Sequence, residues 1–209
     1  MLPNEIVSYY KGLIGQIEIA LPTSGGRVLM LSSSIEGEGT TDVALGLGLT
    51  LATEMDRKVA IVDCNLRHPE IHLRFGTQDV GLSEYFSGEV ELEQALVNTV
   101  VPNLYALPLG RNLTSLAGVG SERLRALLET LRDKFDYVLI DAAPIGTYAE
   151  CVVLCDKVDA IILIIRHGST RREVVKRTKE IIDRAGGRIL GVVLNRRKFP
   201  IPEFLYRKI

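Results

Sequence analysis

The sequence predicts an α/β fold: a doubly wound, mostly parallel sheet in a three-layer sandwich. Three observations predict it. Six short aliphatic runs have the length and composition of strands buried on both faces. Amphipathic stretches with helical spacing lie between several of them. Polar residues gather at the carboxyl ends of the runs, where an open parallel sheet binds its ligands. The chain has 209 residues, 46% hydrophobic and 24% charged, which suits a single domain spanning 1–209.

The elements follow in order. Leu2–Leu21 reads as an opening helix over 1–21, because Ile6, Tyr9, Tyr10, Leu13, Ile17 and Ala20 recur at helical spacing before Thr23-Ser24-Gly25-Gly26. The strand runs are Arg27–Ser32, Lys58–Asp63, Asn103–Leu107, Asp136–Asp141, Asp159–Arg166 and Arg188–Leu194. Helices are expected over Thr41–Met55, Ser121–Lys134, Tyr148–Cys155 and Ser169–Ala185. Alternation of this kind implies right-handed crossovers covering both faces of the sheet. Residues 196–209 read as a C-terminal tail, extended through Phe199-Pro200-Ile201-Pro202.

Lys and Arg number 25 against 26 Asp and Glu, which argues against a dedicated nucleic-acid binder. The balance is uneven: residues 166–209 hold 13 basic and 4 acidic side chains, so 1–165 hold 12 and 22. Solvated helix faces explain this simply; the sharper alternative is a basic end that meets an acidic or anionic-lipid surface. Three cysteines without zinc-type spacing suit a reducing compartment. No apolar run reaches the roughly 20 residues of a spanning helix and no signal peptide opens the chain, so a soluble protein is expected.

The first strand leads through Ser34-Ile35-Glu36-Gly37-Glu38-Gly39-Thr40-Thr41 into a helix. Glycines and a helix N-terminus in this position can cradle phosphate with backbone amides. Ser34 stands at the first position of the phosphate-loop spacing, Thr41 at the Mg²⁺-binding hydroxyl, and Thr40 where the lysine belongs. A plain glycine-rich turn is the competing reading. Asp63 and Asp141 end two apolar strands, placing two carboxylates beside the loop for metal or acceptor work. A turn or N-cap aspartate is the alternative for each.

These motifs resemble, nearly end to end, the cytosolic kinase domain of bacterial tyrosine autokinases, the exopolysaccharide and capsule regulators of the CpsD/CapB/Wzc kind. Residues 33–39 resemble the Walker A loop, 62–69 the Walker A′ segment, 81–88 the Gly-Leu-Ser stretch, 135–144 Walker B and 191–195 the closing strand. The resemblance implies a P-loop NTPase fold related to ParA and MinD, and binding of ATP or ADP with Mg²⁺. It assigns Ser34, Gly37, Glu38, Gly39, Thr40, Thr41 and Asn195 to the nucleotide, and Thr41, Asp63 and Asp141 to the metal. It makes Asp63 and Asp141 catalytic and Tyr206, alone where the family carries a tyrosine cluster, the candidate phosphoacceptor; an aromatic that packs the tail down is the alternative for Tyr206.

The departures from the pattern bear on activity. Thr40 replaces the lysine, Glu36 the usual proline and Asn65 the second Walker A′ aspartate. Glu36 and Glu38 then flank the place meant for phosphate. Arg67 or Arg166 are the candidates to reach in from another loop. Glu5, Ser8 and Lys11 replace the family's helical Glu-Arg-Arg assembly pattern. The expected function is a regulatory subunit of exopolysaccharide or capsule biosynthesis with weakened or lost tyrosine autokinase activity. The alternatives are an active tyrosine autokinase and a ParA/MinD-like positioning ATPase. The expected partner is a membrane-embedded polysaccharide chain-length or export protein, with a homo-oligomer as a further option and no nucleic acid. Such a chain would be cytoplasmic and peripheral at the inner membrane through that partner.

Overall fold

A computed structural model describes residues 3–21, 25–76 and 80–196. The chain runs α1 (Asn4–Ala20), β1 (Arg27–Ser33), α2 (Thr40–Glu54), β2 (Val59–Cys64), α3 (Ile71–Phe75), α4 (Leu82–Ser87), α5 (Leu92–Ala95), β3 (Val97–Asn98) and β4 (Leu104–Leu107). It continues through α6 (Leu116–Val119), α7 (Ser121–Lys134), β5 (Tyr137–Ala142), a 3₁₀ turn (Glu150–Leu154), β6 (Ala160–Arg166), α8 (Arg172–Arg184) and β7 (Ile189–Asn195).

The strands form one sheet in the order β3-β4-β2-β5-β1-β6-β7. The five pairings from β4 to β7 are parallel, and β3 alone is antiparallel, on β4. Because strand side chains alternate faces, β1 sends Val28 and Met30 into one apolar layer and Leu29 and Leu31 into the other. β5 splits Val138 and Ile140 from Tyr137 and Leu139 in the same way. One layer is closed by α1, α2 and α3; the other by α4 to α7 and Ile182 of α8. The doubly wound, three-layer expectation is met.

The six expected strands are present within a residue or so of their bounds. Three other expectations change. Within the stretch expected as a helix over Tyr148–Cys155, only Glu150–Leu154 is helical, as a short 3₁₀ turn. The helix expected from Ser169 starts at Arg172. The opening helix starts at Asn4, with Pro3 at its N-cap, where a missing N–H costs nothing. The 66–102 segment adds α3, α4, α5 and β3, each too short to carry a periodic signal.

The Gly-Leu-Ser stretch has a structural role. Leu82 and Ser83 donate their N–H groups to Pro108 and Leu109 carbonyls, both at 2.9 Å. A side chain on Gly81 would stand 2.0 Å from the Pro108 oxygen, so this close crossing requires glycine. The tail from residue 197 onward, with Tyr206, lies outside the described residues.

Candidate functional site

β1 and β5 lie side by side at the centre of the sheet, and the polar residues at their carboxyl ends build the site. Gly37 and Gly39 take φ of +75° and +85°, which turns the 34–39 loop over into α2. A Cβ on Gly39 would stand 2.4 Å from Asn195 Nδ2. That amide donates to the Glu38 carbonyl at 2.8 Å, so Asn195 fastens the loop from the end of β7. The first-turn amides of α2, at Thr40 and Thr41, have no acceptor within the helix.

Glu38 is 1% exposed. Its Oε2 accepts the N–H of Ser34 at 2.7 Å and of Ile35 at 3.0 Å. Its Oε1 accepts the Arg166 N–H at 3.0 Å and the Thr170 hydroxyl. This carboxylate is therefore an internal staple of the loop. Glu36 is turned to the rim: Tyr148 Oη donates to it at 2.5 Å and His68 Nε2 lies 3.4 Å away. The Tyr148 bond, ahead of smaller contributions from His68 and Arg67, holds the Glu36 carboxyl below its usual range.

Asp63 and Asp141 are directly opposed in the parallel register of β2 and β5, and both are fully buried. Their surroundings differ. Asp63 Oδ1 accepts the Asn65 N–H at 3.0 Å, and Oδ2 accepts the N–H of Ile71, the first residue of α3, at 3.1 Å. Asp141 Oδ2 accepts the Thr41 hydroxyl at 2.7 Å. Its Oδ1 is buried and has no hydrogen-bond partner among the described residues. Burial pushes the Asp141 carboxyl up to about 8, with the Asp63 charge adding to it. Burial raises Asp63 to about 6, against the pull of its backbone N–H donors.

A cation fits here. An orphaned buried carboxylate oxygen beside a threonine hydroxyl, with a second carboxylate on the next strand, is a hard oxygen donor set of the Mg²⁺ type. The linkage also predicts a pH dependence. Below the ordinary carboxylate range both folded and unfolded states are protonated, and burial costs nothing. As pH rises from about 4 towards 8 the unfolded state loses these protons first, so stability falls. Urea midpoints in EDTA should decline across that window, and Asp141→Asn should flatten the decline. Added Mg²⁺ should restore stability most at the alkaline end. A midpoint independent of pH and Mg²⁺ would contradict this.

A cavity of about 260 Å³ opens above the loop, lined by Gly37, Glu38, Gly39, Thr40, Thr41 and Asp42 together with Asn65, Arg74 and Arg196. Of the residues expected at the site, Ser34, Asp63, Asp141 and Asn195 lie behind this lining and support it. No lysine lines the cavity among the described residues. The expected stand-ins are not there either. The Arg67 guanidinium lies 4.6 Å over the Tyr148 ring and pairs with Glu150, and Arg166 offers its backbone N–H to Glu38. The cavity arginines are Arg74, from α3, and Arg196, just beyond β7. Sequence reasoning passed over both because neither belongs to a motif.

No sequence model of a protein family matches the chain. It is 30% identical over 195 residues to the tyrosine-protein kinase CpsD of Streptococcus pneumoniae serotype 4 (strain ATCC BAA-334 / TIGR4), covering 90% of this chain and 83% of that protein. The VpsO kinase domain superposes with a TM-score of 0.80 at 29% identity, covering 93% of this chain and 97% of that one. The septum site-determining protein MinD of Pyrococcus horikoshii OT3, complexed with Mg-ADP, gives a TM-score of 0.66 at 27% identity over 88% and 76%.

Proposed function

We propose, from the premise that this chain belongs to the CpsD family of bacterial tyrosine-protein kinases, that it binds ATP or ADP with Mg²⁺ and transfers phosphate to tyrosine weakly or not at all. In this reading it serves exopolysaccharide or capsule assembly as a regulatory subunit. The observation that carries it is the Thr41–Asp141 pair, with its free carboxylate oxygen, set beneath a formed phosphate loop whose lysine position is Thr40. In this reading the loop, Thr41 and Asp141 would hold nucleotide and metal, and Thr40 withholds the lysine charge that assists transfer.

The residues divide the work. Loop and α2 amides hold phosphate oxygens, with Gly37 and Gly39 giving the backbone its turn. Thr41 and Asp141 would hold Mg²⁺, which supplies neutralisation of the β- and γ-phosphates. Asp63, beside Asp141, would orient water or an acceptor hydroxyl. Asn195 keeps the loop in register. The Thr41–Asp141–Asp63 set equally supports an active tyrosine autokinase, so transfer must be measured.

The test is titration of purified protein with ATP and ADP in Mg²⁺, followed by radiolabelled γ-phosphate transfer to tyrosine. Nucleotide binding with tyrosine phosphorylation at background supports the proposal. Sustained autophosphorylation establishes the kinase reading instead, and absence of nucleotide binding overturns both. No helix among the described residues is long and apolar enough to cross a membrane. The proposed attachment is to a membrane-embedded chain-length or export protein, checked by co-purification from detergent-solubilised membranes.

A further inference from the structure

Asp42 stands in the first turn of α2 with its carboxylate between two guanidiniums from distant parts of the chain. Arg74 Nη2 reaches Oδ1 at 3.2 Å, and Arg196 Nη2 lies 3.6 Å from Oδ2. All three residues line the cavity together with Thr40. Arg196 takes φ of +52°, and its N–H donates to Asn195 Oδ1 at 2.8 Å. This turn brings its Nε to 3.7 Å from the place a Cβ on Gly39 would occupy, directly beside the phosphate loop.

Forked guanidiniums bind phosphate as they bind carboxylate, by paired N–H contacts to an oxyanion. Here the Asp42 carboxylate meets one Nη2 of each arginine, and Glu70 shares Arg74 with it. The three side chains are 47%, 50% and 51% exposed, so the ion pairs are screened and cheap to exchange. Glu70 accepts from the same Arg74 Nη2 at 2.9 Å and from its Nε at 3.3 Å, which keeps that guanidinium at the cavity. Glu36 is engaged by Tyr148 and His68 at the rim and does not compete for either arginine.

We infer that Arg74 and Arg196 form the phosphate-binding cation pair of this cavity, in place of the loop lysine, and that Asp42 is an internal stand-in for the anion they receive. The inference rests on the nucleotide reading of the cavity. The ligand chemistry is a nucleoside di- or triphosphate, whose chain of charged phosphates displaces Asp42 from both arginines. It assigns ground-state phosphate binding to two residues outside every nucleotide motif.

The test is calorimetric titration of ADP with Mg²⁺ into wild type, Arg74→Gln, Arg196→Gln and the double variant, with adenosine as the phosphate-free probe. Each single variant should weaken ADP binding about 10-fold, and adenosine binding should stay unchanged. Asp42→Asn should tighten ADP binding severalfold by releasing both arginines. In a Thr40→Lys background the double variant should lose far less, because the lysine takes over the charge. ADP affinity unchanged in the double variant overturns the assignment, as does a parallel loss for adenosine or weaker ADP binding by Asp42→Asn. A wild type that binds no ADP overturns the nucleotide reading itself, and this inference falls with it.

Discussion

Thr40→Lys raises the rate of γ-phosphate transfer by about 10²–10³, the usual effect of one preorganised charge at a developing oxyanion. The position permits it. Thr40 is the first residue of α2 and lines the cavity half-exposed, so a longer chain extends into space already open. Lysine is also the better helix former. The substitution should change affinity less than rate. Arg74 and Arg196 sit at the rim beside Asp42 and can neutralise bound phosphates in the ground state. A lysine rising from the loop itself meets the bridge between β- and γ-phosphates, where charge moves during transfer. Only interactions stronger in the transition state accelerate the step, so ATP affinity should rise by less than about 10-fold. Radiolabelled transfer to tyrosine and calorimetric ATP binding, run on the same preparations, give both numbers. An unchanged transfer rate would mean that the missing lysine does not limit this site.

The sheet was legible in the sequence because its central strands are buried on both faces and read as uninterrupted aliphatic runs, as residues 59–62 and 160–165 do. The ligand-bearing ends were legible for a related reason. Asp63, Asp141 and the Ser32–Thr41 stretch are polar residues closing apolar runs, and parallel topology makes such ends converge. What stayed hidden depends on tertiary contact. Glu38 looks like a loop carboxylate until its four donors are known, two of which come from Arg166 and Thr170, more than a hundred residues away. Arg74 reaches the cavity through α3, a five-residue helix with no periodic signature, and Arg196 through a left-handed turn that sequence does not announce. The two aspartates look equivalent in sequence. Backbone donors occupy both oxygens of Asp63 and leave one of Asp141 free, and no spacing rule separates those outcomes.

Glu38→Ala destabilises the protein by about 3–5 kcal/mol, the scale for leaving several buried neutral donors without an acceptor. The carboxylate is 1% exposed and holds three backbone amides and one hydroxyl. Alanine leaves those donors buried without an acceptor, each at a desolvation cost of about 1–3 kcal/mol, reduced where water enters the space vacated. Glu38→Gln keeps the shape but turns an amide N–H₂ towards N–H and O–H donors, so about half of that loss is expected. Urea denaturation measures both, and an alanine variant within 1 kcal/mol of wild type would remove the staple from the account. The consequence reaches function through geometry. Ser34 and Ile35 donate to Glu38, so their amides fix the loop's base while the turn at Gly37–Gly39 and the start of α2 face the ligand. ADP binding should therefore fall in both variants, and in Glu38→Gln it should fall under conditions where the protein remains fully folded. That combination separates a loop that has lost its shape from a domain that has lost its stability.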